Sequence, residues 1–350
     1  MEAGDGRPRG KHWCDMIDLT KTDYWMRYVP FLHPDSAAPF LEMAFQDYEV
    51  RTSAGSTRIK SMLSSYELSL LFALAKDYWT GAGEIVDLGC LNGVTTRCFG
   101  DGLRLNTNVD DTAKTGRIYA YDLFLPEDYQ WWMASSATIH AGSVFPEFLR
   151  LNRDNLDYIV PCPGDLLRMN WGDRPIEILL VDAAKTWALN QFVVSRMFPA
   201  LIPGKSVVVQ QDNINFYEYW IAITMEYFAD YFEPLDTVYG ASGVYLAKRA
   251  IPADVAAFDL AALSPARKLQ LMDQAIARAR GSAVEVLKTA KVKLLIELGD
   301  PSAARKVLAS VRTDLQGDRS PHDFSSIAKG CAQMVTPYLE AAERDAGRRA

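Results

Sequence analysis

The segment from residue 84 to residue 103 constrains the fold of this chain most strongly. Residues 85–88 predict a short buried strand that leads into Gly89 and Gly93, and a helical pattern follows over residues 95–103. Glycines at such a junction let the backbone turn sharply and approach a bound ligand closely. A strand, a glycine loop and a helix in this order are typical of a doubly wound α/β fold, in which ligands bind at the carboxyl ends of the strands.

Strand and helix patterns alternate through the centre of the chain, which predicts a parallel sheet with helices on both faces. Helical patterns cover residues 187–201 and 216–232. The last two apolar runs flank Gly240-Ala241-Ser242-Gly243, a turn that predicts an antiparallel hairpin. We therefore predict a doubly wound, mostly parallel seven-stranded sheet with a terminal hairpin, formed by residues 85–88, 118–122, 156–160, 176–182, 206–210, 235–239 and 244–248.

The two flanks of this central region have different patterns. Residues 1–57 show no sustained periodicity and predict an irregular N-terminal arm, whereas residues 58–78 predict an amphipathic helix that begins a central domain of residues 58–250. Residues 251–350 predict a C-terminal helical extension with a helical hairpin at 290–311. An isolated hairpin indicates a packing element or a homodimer contact rather than a repeat array.

Two long interruptions of the alternating pattern, at about residues 101–116 and 125–155, are candidates for lids or substrate loops. The aromatic run Phe216, Tyr217, Tyr219 and Trp220 admits two interpretations, the wall of an acceptor pocket or simple core.

The charge and cysteine content exclude several classes of protein. Acidic residues outnumber basic ones by 44 to 37, a net charge of −7 that disfavours nucleic acid and anionic lipid as partners. The five cysteines form no CxxC pair, so neither a disulfide framework nor a zinc site is indicated. The sequence contains no membrane-spanning apolar stretch, and we expect a cytoplasmic protein.

Charged and polar residues follow several of the predicted strands. Asp122 ends the second strand, Asp182 and Lys185 follow the fourth, and Asp212 and Asn213 follow the fifth. Two carboxylates and a carboxamide are hard oxygen ligands of the kind that suit Mg²⁺. The alternative is that the acids cap turns and that the lysine is a solvated surface residue.

The motifs together resemble class I S-adenosylmethionine-dependent methyltransferases. The acid-x-Gly-x-x-x-Gly loop and the Asp-x-x-Lys and Asp-Asn pairs are similar to those of catechol O-methyltransferase and the bacterial macrocin-type small-molecule O-methyltransferases. The resemblance covers roughly residues 58–249. It implies transfer of a methyl group from S-adenosylmethionine to a hydroxyl oxygen of a small molecule, such as a sugar or a specialised metabolite.

The resemblance also implies the site residues. The metal ligands for Mg²⁺ are Asp182, Asp212 and Asn213, and the catalytic residues are Lys185, as a base of depressed pKa, and Asp182. Because Gln211-Asp212 and Asp212-Asn213 are both possible registers, the metal ligation is open to change or loss. The implied contacts to S-adenosylmethionine are Asp87, Gly89, Asn92, Gly93, Asp122, Leu123 and Asp165.

Two other classes remain as alternatives. A nicotinamide-dependent oxidoreductase is disfavoured by the glycine spacing, which is not GxGxxG, and by the terminal hairpin. A metal-independent or non-methylating homologue that binds S-adenosylmethionine and acts as a scaffold is disfavoured by the intact Asp-x-x-Lys and Asp-Asn pairs, although fold and function are separate inferences.

Overall fold

The computed structural model describes residues 26–29, 46–52, 55–125, 142–317 and 322–349. The second predicted interruption lies partly outside these residues, as does most of the predicted N-terminal arm. The strands are β1 (Met26–Val29), β2 (Gln46–Thr52), β3 (Gly55–Ser61), β4 (Glu84–Leu88), β5 (Ile118–Asp122), β6 (Ile159–Pro163), β7 (Ile176–Val181), β8 (Val207–Gln210), β9 (Phe232–Val238) and β10 (Ser242–Ala247).

Seven strands form the central sheet in the order β6-β5-β4-β7-β8-β10-β9. All neighbours pair in parallel except that β10 runs antiparallel to both β8 and β9. The order reverses between β4 and β7, which places the switch point of the fold beside the glycine loop. The predicted seven-stranded, mostly parallel sheet with a terminal hairpin is confirmed.

Helices cover both faces of this sheet and the region beyond it. They are α1 (Ser65–Ala73), α2 (Val94–Leu105), α3 (Asp111–Lys114), α4 (Phe145–Asn152), α5 (Trp187–Met197), α6 (Tyr219–Tyr227), α7 (Ala253–Ala256), α8 (Pro265–Arg278), α9 (Ala283–Glu297), α10 (Pro301–Ala309) and α11 (Ser325–Arg349). Side-chain caps fix several of their starts: Thr186 accepts from the Leu189 amide and Asp300 from the Ala303 amide.

The hydrophobic core has two halves because successive strand residues point to opposite faces of the sheet. On one face, Ile85 and Ile178 pack with residues of α1, α2 and α4. On the other, Val86 and Leu179 belong to a cluster that includes α5, α6, α8, α9 and α11. The C-terminal helices therefore share a core with the central sheet.

The start of the described region differs from the sequence prediction. Residues 26–29, 46–52 and 55–61 form a three-stranded antiparallel sheet instead of an irregular arm and the start of a helix. The helix begins only at Ser65 because Ser64 and Glu67 form a capping box, in which each side chain bonds the other residue's backbone amide.

Two other predicted elements have different bounds. The third parallel strand lies at Ile159–Pro163 rather than 156–160, since Ile159 pairs with Ile118 and Leu156 belongs to a 3₁₀ turn. Pro163 is tolerated because β6 is an edge strand. The aromatic helix predicted over 216–232 is the shorter α6, because Phe232 pairs with Ala247 in the hairpin.

The C-terminal hairpin has the predicted break between α9 and α10. Helix α9 contacts α6, α8, α10 and α11, so it is the centre of the C-terminal group. Among the residues the structure describes, no helix is long and apolar enough to cross a membrane.

Candidate active site

The glycine loop between β4 and α2 packs directly against the end of β7. Gly89 has a φ of 89°, and a Cβ placed on it would lie 2.7 Å from the backbone oxygen of Asp182. Gly93, also at φ 89°, begins α2 beside Asn152 and Phe148, where a Cβ would lie 2.5 Å or less from their side chains. Only glycine fits at both positions, so the loop lies tightly at the carboxyl edge of the sheet.

Asp87 lies beneath this loop and is fully buried. Its Oδ2 accepts hydrogen bonds from the hydroxyls of Thr95 and Thr96 in the first turn of α2. Burial raises the pKa of Asp87 to about 7, against the lowering effect of these two hydroxyls. In this structure Asp87 holds the start of α2, so a contact with the cofactor through its buried side chain stays a prediction.

Asp122 ends β5 as predicted and holds the glycine loop from the other side. Its Oδ2 accepts from the Leu91 amide at 2.8 Å, and its Oδ1 accepts from the Phe124 amide at 2.6 Å. Asp122 as a whole residue is partly exposed. Leu123 beside it is 55% exposed, so both residues face the open edge of the sheet.

Asn92 and Asp165, the other predicted cofactor contacts, have different surroundings. Asn92 is buried within the glycine loop. Asp165 follows β6, where its carboxylate caps a short 3₁₀ turn by accepting from the Leu167 amide and pairs with Arg168 at 3.4 Å. Its role as a turn cap accounts for its position, and an adenine contact stays a prediction.

The residues predicted at the ends of β7 and β8 come together in one cluster, which we call the acid–lysine cluster: Asp182, Lys185 and Asp212. The ammonium of Lys185 donates to Oδ1 of Asp182 at 2.7 Å and also to Oδ2 of Asp212. The lysine side chain is 47% exposed, whereas those of Asp182 and Asp212 are 18% and 16% exposed. The lysine is therefore the most solvent-exposed side chain of the cluster, and the two carboxylates are more deeply placed.

The electrostatics of the cluster differ from the predicted lysine base. Burial alone would lower the pKa of Lys185, but Asp182 and Asp212 together outweigh it, and the pKa stands well above the usual lysine value. Burial raises the pKa of Asp182, assisted by the nearby charge of Asp212 and opposed by Lys185. In this arrangement the lysine holds its proton, contrary to the predicted depression of its pKa.

The side chains of Gln211 and Asn213, on either side of Asp212, point away from the acid–lysine cluster. Gln211 is buried and its Oε1 faces the hydroxyl of Ser242 in the hairpin. Asn213 is also buried, and its amide lies against Gly243 and Tyr245. It lines a cavity of about 100 Å³ between α6, α8 and the hairpin. Neither register of the Gln-Asp-Asn run therefore brings a second side chain to the cluster.

The predicted Mg²⁺ site does not fit this geometry. The ammonium of Lys185 stands between the two carboxylates, and Asn213, the expected third ligand, points elsewhere. Within the described ranges, no group of three or more His, Cys, Asp or Glu side chains is arranged to hold a metal ion.

Two residues near the cluster were not predicted from the sequence. Asn215 donates its side-chain amide to Oδ1 of Asp212 at 3.2 Å. Glu218 is 9% exposed, and burial together with the charge of Asp212 raises its pKa to about 7. Only their proximity to Asp212 in the chain could have indicated them, because neither belongs to a motif.

Most of the aromatic run after β8 is core. Phe216, Tyr219 and Trp220 are buried in the cluster shared with the C-terminal helices, and Trp220 donates to the Ala184 backbone oxygen at 2.7 Å. Tyr217 is 42% exposed. Trp220 thus holds the 182–185 loop from its buried side.

The strand order, with β10 alone antiparallel, is the one implied by the resemblance to class I S-adenosylmethionine-dependent methyltransferases, and the glycine loop and the acid–lysine cluster lie at the carboxyl edge of this sheet. No protein-family model and no curated protein matches the chain. Among solved structures, the chain is similar to the O-methyltransferase NovP. The two are 18% identical, the match covers 54% of this chain and 81% of that chain, and the TM-score is 0.39.

Proposed function

We propose that this chain transfers the methyl group of S-adenosylmethionine to an oxygen of a small-molecule acceptor. The observation that carries this proposal is the contact of Gly89 with the backbone of Asp182, which puts the glycine loop beside the acid–lysine cluster at one edge of the sheet. A methyl donor held by the loop and an acceptor held at the cluster would then be neighbours, as an in-line transfer requires.

The residues divide into two groups under this proposal. Asp122, Leu123 and the loop from Gly89 to Gly93 would bind the donor, with the carboxylate of Asp122 accepting from the ribose hydroxyls. S-adenosylmethionine supplies the methyl group when bound. Lys185 is the most exposed side chain of the cluster and would hold the acceptor oxygen by donating a hydrogen bond, because its ammonium keeps its proton. The acceptor hydroxyl would pass its proton to the carboxylate of Asp182 as its oxygen bonds the methyl group, and the electrons of the broken sulfur–methyl bond would stay on sulfur as S-adenosylhomocysteine leaves.

A binding measurement tests the donor half without knowledge of the acceptor. We expect calorimetry to show binding of S-adenosylhomocysteine, the demethylated product, and no binding of NAD. Asp122→Asn should weaken that binding by about tenfold or more, because a hydrogen bond to a charged group contributes about 1.5–3 kcal/mol. The matched control is Asp173→Asn, which changes an exposed aspartate away from this edge.

A labelling experiment tests the reaction. The chain is incubated with methyl-labelled S-adenosylmethionine and a panel of catechols and hydroxylated sugars, and products are identified by mass spectrometry. A methyl ether on any acceptor supports the proposal. Binding of NAD in place of S-adenosylhomocysteine would overturn it in favour of an oxidoreductase, and binding of S-adenosylhomocysteine with no transfer to any acceptor would favour the scaffold alternative.

A further inference from the structure

We propose that the Lys185 ammonium occupies the place of a divalent cation between Asp182 and Asp212, so that this site carries its cation within the polypeptide and needs no divalent metal. The position of the ammonium is observed among the described residues and does not depend on the proposed function. Its part in holding an acceptor oxygen rests on the proposed function.

The first support is the bridging geometry. One Nζ atom donates to both carboxylates, to Oδ1 of Asp182 at 2.7 Å and to Oδ2 of Asp212. The remaining Asp212 oxygen accepts from Asn215, so the carboxylate is held from two directions. A lysine ammonium is a compact charge with three donors, which suits it to the space between two carboxylates.

The second support is the balance of charge. Two carboxylates with a combined charge of −2 face one ammonium of +1, and the ammonium lies within hydrogen-bonding distance of each carboxylate. A divalent ion that entered the same space would meet a positive charge at close range, and like charges repel one another at such a separation. Binding of the ion would first require the lysine to leave.

The third support is the loss of other oxygen ligands. Gln211 faces Ser242 in the hairpin, and Asn213 lies against Gly243 and Tyr245 in a separate cavity. The Oδ1 atom of Asn213 is buried there without a hydrogen-bond partner among the described residues. Gln211 and Asn213 thus add no ligand to the two carboxylates, and water would complete the shell of a divalent ion that entered after removal of the lysine.

The test is a gain of metal binding, which needs no acceptor and no activity. Binding of Mn²⁺ to the full chain is measured from the loss of the free-ion signal in electron paramagnetic resonance. We expect the unmodified chain to have no site at Asp182 and Asp212. Lys185→Ala removes the ammonium and should create one Mn²⁺ site, at least tenfold tighter than any binding by the parent.

Three further variants establish that the gained site is this one. The double variant Lys185→Ala with Asp182→Asn should lose the Mn²⁺ site again, because one of the two carboxylates is gone. Lys185→Arg keeps a cation in place and should gain no site. Lys205→Ala removes a lysine that bonds Thr80, outside the cluster, and should also gain none.

Two results would overturn the inference: an Mn²⁺ site in the unmodified chain that Asp182→Asn removes, or a folded Lys185→Ala chain that gains no site. If Lys185→Ala does not fold, as judged by circular dichroism, Lys185→Met replaces it, because methionine retains the apolar stem of the lysine. The folded Lys185→Met chain should then gain the Mn²⁺ site. The Mn²⁺ measurement on the unmodified chain tests the inference even if neither variant folds. Failure of S-adenosylhomocysteine binding would overturn the proposed function and leave the Mn²⁺ result intact.

Discussion

At the scale of a single residue, Gly89 brings the glycine loop into contact with the acid–lysine cluster. Its φ of 89° is costly for any other residue, and a Cβ would lie 2.7 Å from the backbone oxygen of Asp182, which cannot move without shifting the end of β7. We expect Gly89→Ala to reduce binding of S-adenosylhomocysteine at least tenfold and to lower the free energy of unfolding, measured by calorimetry and by urea denaturation.

Gly172 provides the matched control for this substitution. It also has a positive φ, of 76°, but a Cβ there would meet nothing within 4 Å. Gly172→Ala should therefore cost only the backbone strain, about 1–2 kcal/mol, and leave binding unchanged. Equal losses of stability in both variants, with binding intact in Gly89→Ala, would show that the contact with Asp182 is not important for the loop.

The residues of the acid–lysine cluster could be predicted from the sequence because the ends of parallel strands meet at one edge of the sheet. The directions of the side chains after β8 could not. Asp212 adopts a left-handed φ of 61°, which turns the chain so that Gln211 and Asn213 point to the hairpin. Asp visits this conformation more readily than most residues, but no sequence pattern required it here.

At the scale of elements, one buried carboxyl connects α1 to the hairpin. Glu67 is 1% exposed, and its Oε1 and Oε2 bond Ser242 and the Ser64 amide respectively. The Ser242 hydroxyl also faces Oε1 of Gln211, and a hydroxyl has only one proton to donate. Protonation of Glu67 satisfies both contacts, because the Glu67 hydroxyl then donates to Ser242 and Ser242 donates to Gln211.

This arrangement predicts a specific pH dependence of stability. Burial raises the pKa of Glu67 to about 8 from the usual 4.5, so the folded chain binds a proton that the unfolded chain releases between these values. The contribution of Glu67 to the free energy of unfolding should fall as pH rises from about 4.5 to 8, by at most about 1.4 kcal/mol per pH unit. Above pH 8 the fall should level off.

Glu67→Gln tests this pH dependence because glutamine is isosteric with the protonated acid and can donate to Ser242. Urea denaturation between pH 5 and pH 9 should show the variant gaining stability relative to the parent as pH rises. Glu233→Gln, which changes an exposed residue of the same hairpin, should give a constant difference. A constant difference for Glu67→Gln as well would mean that Glu67 is charged in the folded chain.

The elements themselves were predictable to different degrees. The strands β4, β5, β7 and β8 are mostly apolar because both faces of the sheet are covered, and such segments are visible in a sequence. The strands β2 and β3 are largely polar and are defined by their pairing, Tyr48 with Ile59 for example. Because the strands depend on this pairing and not on an apolar pattern, the sequence predicts an irregular segment there.

At the scale of the whole molecule, the C-terminal helices are built into the protein around the site rather than appended to it. Tyr219 at the start of α6 donates to the carboxylate of Glu297 in α9. Lys293 of α9 lies over the rings of Tyr217 and Tyr338, at 5.3 and 4.7 Å from their centroids. The loop after Asp212 is thus packed against α9 and α11, although the sequence indicated only a packing or dimerisation element.

This shared core predicts that the chain unfolds as one unit. Leu294 of α9 is 1% exposed within the cluster that also contains Val86 and Leu179. Leu294→Ala should cost about 2–5 kcal/mol, as large-to-small changes in cores do. Trp79 is buried on the face of the sheet opposite the C-terminal helices. A chain that keeps Trp79 and carries Phe at the other seven tryptophans therefore gives a fluorescence signal from that face, whereas circular dichroism reports on all helices.

The two probes distinguish one cooperative unit from two. If the core is continuous, Leu294→Ala lowers the urea midpoint by the same amount in fluorescence and in circular dichroism, since loss of α9 also unfolds the central sheet. If the C-terminal helices unfold independently, only the circular dichroism curve moves and it acquires a second transition. Lys306→Ala, an exposed change in α10, should leave both curves within about 0.5 kcal/mol of the parent. Because α9 also braces the loop after Asp212, a common shift in the two curves would mean that the stability of the candidate site depends on helices about 80 residues further along the chain.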